Sequence, residues 1–212
     1  MGIIQELSPL FDLFCSLIEA GAIIAAAMIG VRELNSIAQK RLDNYRDKSG
    51  SVSELLIKAK SDITIVVAYG DKLMTEFAPI IEWCLSRGVK VRYLMLTEAA
   101  AEKMDKDFLK NTSVNTADQV KMVKDLLEKM EGKENLEVRE WSGMLPVSYI
   151  GIDIGRRGPG SVIHMMPYLY NTGTDNSPIS YLTYDASDAQ FKVTANSIEN
   201  MWKDAKPAQH CA

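Results

Sequence analysis

The alternation of hydrophobic and polar positions divides the chain near residue 50. From Leu13 to Val31 (LFCSLIEAGAIIAAAMIGV), 19 residues carry one charged group, Glu19. A helix rises about 1.5 Å per residue, so this run covers about 28 Å, close to the roughly 30 Å hydrocarbon core of a bilayer. The pattern predicts a membrane-spanning helix. From Arg32 to about Lys48 it turns polar, with Leu34, Ile37, Ala38 and Leu42 at helical spacing, which predicts that the helix continues as a stalk. Lys48-Ser-Gly-Ser51 then breaks it.

The remainder alternates between two periods. Ser53 to Lys60 reads as a short helix, and Ile63 to Ala68 (ITIVVA), continuously apolar and β-branched, as a strand covered on both faces. Leu73 to Arg87 is helical with Gly88 as its stop, and Val89 to Leu96 is the next strand, so the three pieces form a strand-helix-strand unit with a right-handed crossover. Ala99 to Leu109 and Thr116 to Met130 read as helices, the second capped by Thr116, with Lys110 to Asn115 as a loop between them. Leu136 to Trp141 is a third strand, and Ser142 to Pro146 turns into Val147 to Ile154. Arg156 to Gly160 is a tight basic turn, Val162 to Leu169 and Ile179 to Tyr184 are strands, and Ala189 to Asp204 is an amphipathic helix bearing Phe191, Ile198 and Trp202. The expected fold is α/β with a mixed sheet (residues 51–212) behind a single transmembrane helix and stalk (residues 1–50).

Charge orients the predicted span. Residues 1–12 hold no Lys or Arg, whereas Arg32, Lys40, Arg41, Arg46 and Lys48 follow it, which places the N-terminus outside an inner (cytoplasmic) membrane and the body of the chain in the cytoplasm. A cleaved signal peptide needs a basic n-region, absent here; a buried helix in a soluble oligomer is the other alternative, and it accommodates Asp12 and Glu19 more easily. Asp12, Cys15, Glu19, Ala22, Ala26, Gly30 and Glu33 follow at steps of three or four and share one stripe. Small residues let helices approach closely, so the stripe suggests a homo-oligomeric bundle. Its carboxylates line a cation path, or sit protonated in a packing seam; the sequence leaves both open.

Composition narrows the partners. A formal net charge of -4 argues against broad binding of long duplex nucleic acid while leaving room for a local basic site. Cys15, Cys84 and Cys211 have no metal or redox spacing and read as reduced thiols, and with His164 and His210 the sole histidines no metal or other cofactor is expected.

The runs SELLIKAKSDITIVVAYGDKL, SRGVKVRYLML and LEVREWSGMLPVSYIGIDI, followed by a helix ending in MWKDA, together resemble one half of the phospholipase D-like fold over about residues 52–206. They are similar in particular to degenerate single-copy domains that bacteria fuse to other modules. Active members of that superfamily carry His-x-Lys-x4-Asp, in which the His attacks a phosphodiester and the Lys holds the phosphate oxygens; two such motifs meet around one phosphate. Here Ser148 stands at the His position, Ile150 at the Lys position, and Asp153 comes too early for the Asp. The resemblance therefore implies a non-catalytic relative. His164, one strand later without a Lys, is a core or ligand-contact residue, or a nucleophile in the alternative reading.

Anion recognition can outlive such a site. Arg156 and Arg157 in their Gly/Pro turn suit a bidentate grip on phosphate, or form a plain solvated turn. Tyr69, Asp71 and Lys72, around Gly70 at the end of a strand and the start of a helix, lie where open α/β sheets bind ligands, and the loop Thr172–Ser177 is placed to close over that edge. The leading expectation is a membrane-anchored sensor and effector: the cytoplasmic domain binds an anionic nucleotide or short oligonucleotide and controls the helix bundle. That architecture resembles small membrane effectors of bacterial nucleotide-signalling antiphage defence. The alternatives are a membrane-bound phosphodiesterase using His164, and a structural anchor without a ligand.

Overall fold

The computed structural model describes residues 52–109, 115–130, 134–169, 177–185 and 187–208. All belong to the second of two units into which the chain divides after Lys48. The predicted span and stalk, the Asp12-to-Glu33 stripe with Ala22, Ala26 and Gly30, Cys15, His210, Cys211 and most of the 110–115 and 172–177 loops lie outside the described residues. Among the described residues no helix is long and apolar enough to cross a membrane, and no group of His, Cys, Asp and Glu gathers as metal ligands do.

A seven-stranded mixed sheet runs in the order β6-β5-β4-β1-β2-β3-β7. Its strands are β1 (Asp62–Val66), β2 (Lys90–Leu96), β3 (Leu136–Trp141), β4 (Val147–Ile152), β5 (Val162–Pro167), β6 (Ser180–Thr183) and β7 (Lys206–Pro207). β1, β2 and β3 are parallel, as helical crossovers require, whereas β4 pairs antiparallel with β1, β5 antiparallel with β4 and β6 antiparallel with β5. β1 and β2 are central and nearly all buried, with one face apolar throughout and the other carrying the Asp62–Lys90 and Thr64–Arg92 pairs. The mixed sheet read from the sequence is the one observed.

The helices are α1 (Val52–Ile57), α2 (Asp71–Ser86), α3 (Glu98–Asp107), α4 (Thr116–Lys129) and α5 (Ala189–Asp204). Opposed residues in neighbouring strands share a face, so Tyr93, Ile65, Ile150 and His164 form one row. Glu140, on that same face, pairs with Lys124 of α4 at 2.5 Å, and α1, α2 and α3 join α4 in one layer. Arg92 and Thr64 point to the opposite face, where α5 lies and Glu199 meets Arg92 at 2.8 Å. Among the described residues the core is therefore three layers deep, with four helices on one face and α5 on the other.

Several boundaries differ from the sequence reading for identifiable reasons. β4 stops at Ile152 instead of Ile154 because Asp153 adopts a left-handed φ of 53°. The cap of α4 is Asn115, whose side chain accepts from the Asp118 N–H at 3.2 Å. Thr116 instead gives its hydroxyl and its N–H to Asp105, tying α3 to α4. β7 was not foreseen: two residues, one of them proline, carry no strand pattern and exist through pairing with Arg139 and Glu140.

Candidate functional site

The residues read as ligand-binding fall in three separate places. Tyr69, Asp71 and Lys72 stand at the carboxyl end of β1, where Gly70, at φ 81°, turns the chain into α2. Tyr69 is buried, with its ring 6.0 Å from that of Tyr168 and its carbonyl accepting from the Tyr93 hydroxyl at 3.4 Å. Asp71 accepts from Gln119 Nε2 at 3.1 Å. The Tyr168 hydroxyl accepts from the Ala68 N–H at 3.0 Å, and burial raises the pKa of both the Tyr168 and Tyr93 phenols, keeping them protonated.

Ser148 stands at this same end of the sheet. Its side chain is buried, and its Oγ donates to the Met166 carbonyl at 3.2 Å with the Tyr168 hydroxyl as its other polar neighbour. Ile150, two residues on, packs in the sheet interior beside Ile65. His164 lies opposite Ile150 on β5, 5% exposed, with its ring edge-on to Tyr181 at 5.2 Å. Neither of its ring nitrogens has a hydrogen-bond partner among the described residues. Burial lowers its pKa to about 4, so the imidazole is neutral at pH 7.

Asp153 is occupied elsewhere. Its carboxylate accepts from the N–H groups of Lys60 at 3.0 Å, Ser61 at 2.6 Å and Asp62 at 3.1 Å, and from the Ser61 hydroxyl at 2.8 Å. Burial pushes this carboxyl upward, but the donors from Ser61, Asp62 and Lys60 outweigh it and hold the pKa below the usual value. It is a clasp between the end of β4 and the start of β1.

Arg156 and Arg157 follow that clasp, so they lie at the amino-terminal edge of β1. From Asp62 to Tyr69 is seven steps of about 3.3 Å, roughly 23 Å of extended chain, so no small ligand spans both this turn and the Tyr69–Lys72 end. The arginines also part company. Arg157, at φ 48°, donates from Nη2 to Asn196 Oδ1 of α5 at 2.6 Å and lines a cleft, whereas Arg156 does not reach that cleft.

The cleft, of about 610 Å³, opens between the amino-terminal ends of β1, β2 and β3 and one side of α5. That volume suits a small-molecule ligand. Its charged lining is Asp62, Lys90, Arg92, Glu134, Glu137, Arg157 and Glu199. Arg92 is already committed: Nη1 donates to Glu199 at 2.8 Å, Nε and Nη2 donate to Thr64 Oγ1 at 3.2 and 3.0 Å, and the guanidinium lies over the Trp202 ring at 5.4 Å. Asp62 accepts from the Ser61 hydroxyl at 2.8 Å and the Gly155 N–H at 3.3 Å. Lys90 and Arg157 remain as the exposed cations, and Glu134 and Glu137 as the exposed carboxylates.

No protein-family model and no curated protein matches the chain. Solved structures do. The chain is similar to TrmBL2, an archaeal chromatin protein that shows a novel mode of DNA binding, at 11% identity and a TM-score of 0.44, over 93% of this chain and 70% of that one. It is similar to NucT from Helicobacter pylori at 12% identity and a TM-score of 0.47, over 79% of this chain and 94% of that one. Phosphatidylserine synthase from Haemophilus influenzae Rd KW20 matches at 13% identity and a TM-score of 0.49, over 76% of this chain and 37% of that one. These are likenesses of fold, and they carry no argument about the chemistry of the cleft.

Sequence reasoning found Arg157 and missed the rest of the cleft. Lys90 and Arg92 were legible as an outward pair, because they alternate with the buried Val91 and Tyr93 in the strand. Nothing in the linear pattern joins that pair to Glu199 or Asn196, which arrive on a helix more than a hundred residues later.

Proposed function

We propose that the chain is a non-catalytic, phospholipase D-like ligand-binding protein that holds an anionic ligand, a nucleotide or short oligonucleotide, in the cleft beside Arg157 and Lys90. One observation carries this reading. At the positions where the resemblance sets a nucleophilic His and a phosphate-holding Lys, Ser148 and Ile150 are 5% and 4% exposed, packed into the sheet, with the Ser148 hydroxyl spent on the Met166 carbonyl. A phosphodiester cannot reach either side chain without opening the sheet. Asp153 is likewise spent on backbone N–H groups. The cleft, in contrast, is open and presents two cations from separate elements.

The proposal extends to the N-terminal segment. The apolar run Leu13–Val31 spans the membrane, the Asp12-to-Glu33 stripe faces the interior of a homo-oligomeric bundle, and ligand binding controls that bundle as an effector in antiphage defence. The support for this part is the length of the run, its basic flank and the small residues of the stripe.

A second reading, a membrane-bound phosphodiesterase, draws on His164, whose imidazole is neutral at pH 7, the nucleophilic form, with neither nitrogen partnered among the described residues. The two readings part in one assay. Full-length protein in detergent is incubated with bis(p-nitrophenyl) phosphate and with single-stranded DNA. The expected result is no turnover above buffer for wild type and for His164→Ala alike; turnover by wild type that vanishes in His164→Ala overturns the non-catalytic reading.

A further inference from the structure

Large apolar side chains left exposed by a folded domain mark a surface that something else covers when they stand together. Among the described residues, Met122, Met144, Leu169, Ile179 and Val193 are exposed on five different segments, whereas Ile57 and Trp83, 47% and 46% exposed, flank a single contact. That contact joins the end of α1 to the end of α2. Cys84 Sγ, beside Trp83, donates to the carbonyl of Leu56, beside Ile57, at 3.3 Å.

Cations accompany the pair. The Arg87 guanidinium lies over the Trp83 ring, 4.3 Å from its centroid, and Lys58 and Lys60 are exposed directly after Ile57. Lys90, whose backbone N–H donates to the Ser61 carbonyl at 3.0 Å, continues the same edge. None of these four takes an ion pair among the described residues. The carboxylates within one helical turn of Ile57 or Trp83 are Glu54 and Glu82, so the four cations outnumber the two acids. Tryptophan is at home at the headgroup level of a bilayer, and Lys and Arg beside it are drawn to an anionic leaflet.

We propose that the ends of α1 and α2 dock on the anionic surface of the membrane, with Ile57 and Trp83 at the headgroup level and Lys58, Lys60 and Arg87 on lipid phosphates. This rests on the membrane-anchored reading, in which the span ends at Val31. Residues 32–51, between that point and α1, cover about 30 Å as a helix, the width of a small domain. Ile57 follows only about 8 Å of helix beyond the start of α1, so the tether holds this edge near the bilayer. An anionic polymer would engage the cations and stack on Trp83 but leave Ile57 in water, whereas a lipid surface takes up all of them.

Full-length protein reconstituted into vesicles of phosphatidylcholine, alone or mixed with phosphatidylglycerol, tests this, with brominated acyl chains as the quencher of tryptophan emission. The proposed span contains no tryptophan, and the other two, Trp141 and Trp202, stand on β3 and α5. The expected result is quenching in the vesicles that hold phosphatidylglycerol, its absence in phosphatidylcholine alone, and its loss in Trp83→Phe and in Lys58→Glu/Lys60→Glu, while all three proteins float with both kinds of vesicle. The substituted side chains are exposed, so these variants leave the fold intact. Quenching that persists in Trp83→Phe, quenching equal in the two lipids, or none in either although the protein floats, overturns the docking surface and leaves the span standing. Protein that does not float with phosphatidylcholine alone overturns the span, and protein that floats with neither lipid overturns both.

Discussion

Two buried ionisable side chains, Asp153 and His164, both make the fold weaker in acid, and they do so in different pH windows. His164 has a folded pKa of about 4, against about 6.5 in an unfolded chain. Between these values the unfolded state binds more protons, so stability falls as the pH falls from 6.5 towards 4, by up to about 3 kcal/mol. The Asp153 carboxyl is lowered below 3.8, so its contribution is present above that value and disappears as the pH falls further, through the folded pKa. Urea unfolding at a series of pH values should show both losses in wild type. In His164→Phe, which keeps a ring against Tyr181, the loss above pH 4 should vanish while the lower one stays; a wild-type stability that is flat from pH 6.5 to 4.5 would contradict the buried neutral imidazole. At this scale the sequence was half legible. It set Ser148 and Ile150 where the resemblance expects a His and a Lys, but gave no sign that Asp153 clasps Lys60, Ser61 and Asp62, because that depends on backbone N–H groups about ninety residues away.

Elements were more readable than residues because most are written in local periodicity. β1 announces itself as a buried strand by its continuous β-branched run, β2 by Lys90 and Arg92 alternating with Val91 and Tyr93 ahead of an apolar stretch, and α5 by the spacing of Phe191, Ile198 and Trp202, all buried. The punctuation between them is less uniform. Gly88 and Gly70 both have left-handed φ values, 79° and 81°, yet a Cβ on Gly88 would meet nothing within 4 Å, whereas one on Gly70 would run into the Tyr93 hydroxyl and sit 2.8 Å from Val67 Cγ2. Gly88→Ala should therefore cost about 1 kcal/mol, the backbone term alone. Gly70→Ala adds overpacking of the β1–α2 turn and should cost about 3 kcal/mol or more. Urea midpoints measure the difference, and equal losses in the two variants would contradict the close approach of Gly70 to Tyr93. The sequence marks both glycines as turns; only the packed structure distinguishes them.

At the scale of the molecule, the layer order follows from pattern, but the location of the cleft does not. Strand order is a tertiary outcome: β4, β5 and β6 add to β1 on the side away from β2, which carries the Arg156–Gly160 turn to the amino-terminal edge of the sheet and away from Tyr69. Five segments then meet around one space, and no linear signal links them. The central claim is that this molecule holds a nucleotide phosphodiester without cleaving it. Phosphorus NMR of the dinucleotide GpG mixed with full-length protein tests both halves at once. The account predicts that the diester resonance shifts or broadens and that no monoester resonance appears on prolonged incubation; a growing monoester resonance, or a diester line left unchanged by protein, would contradict it.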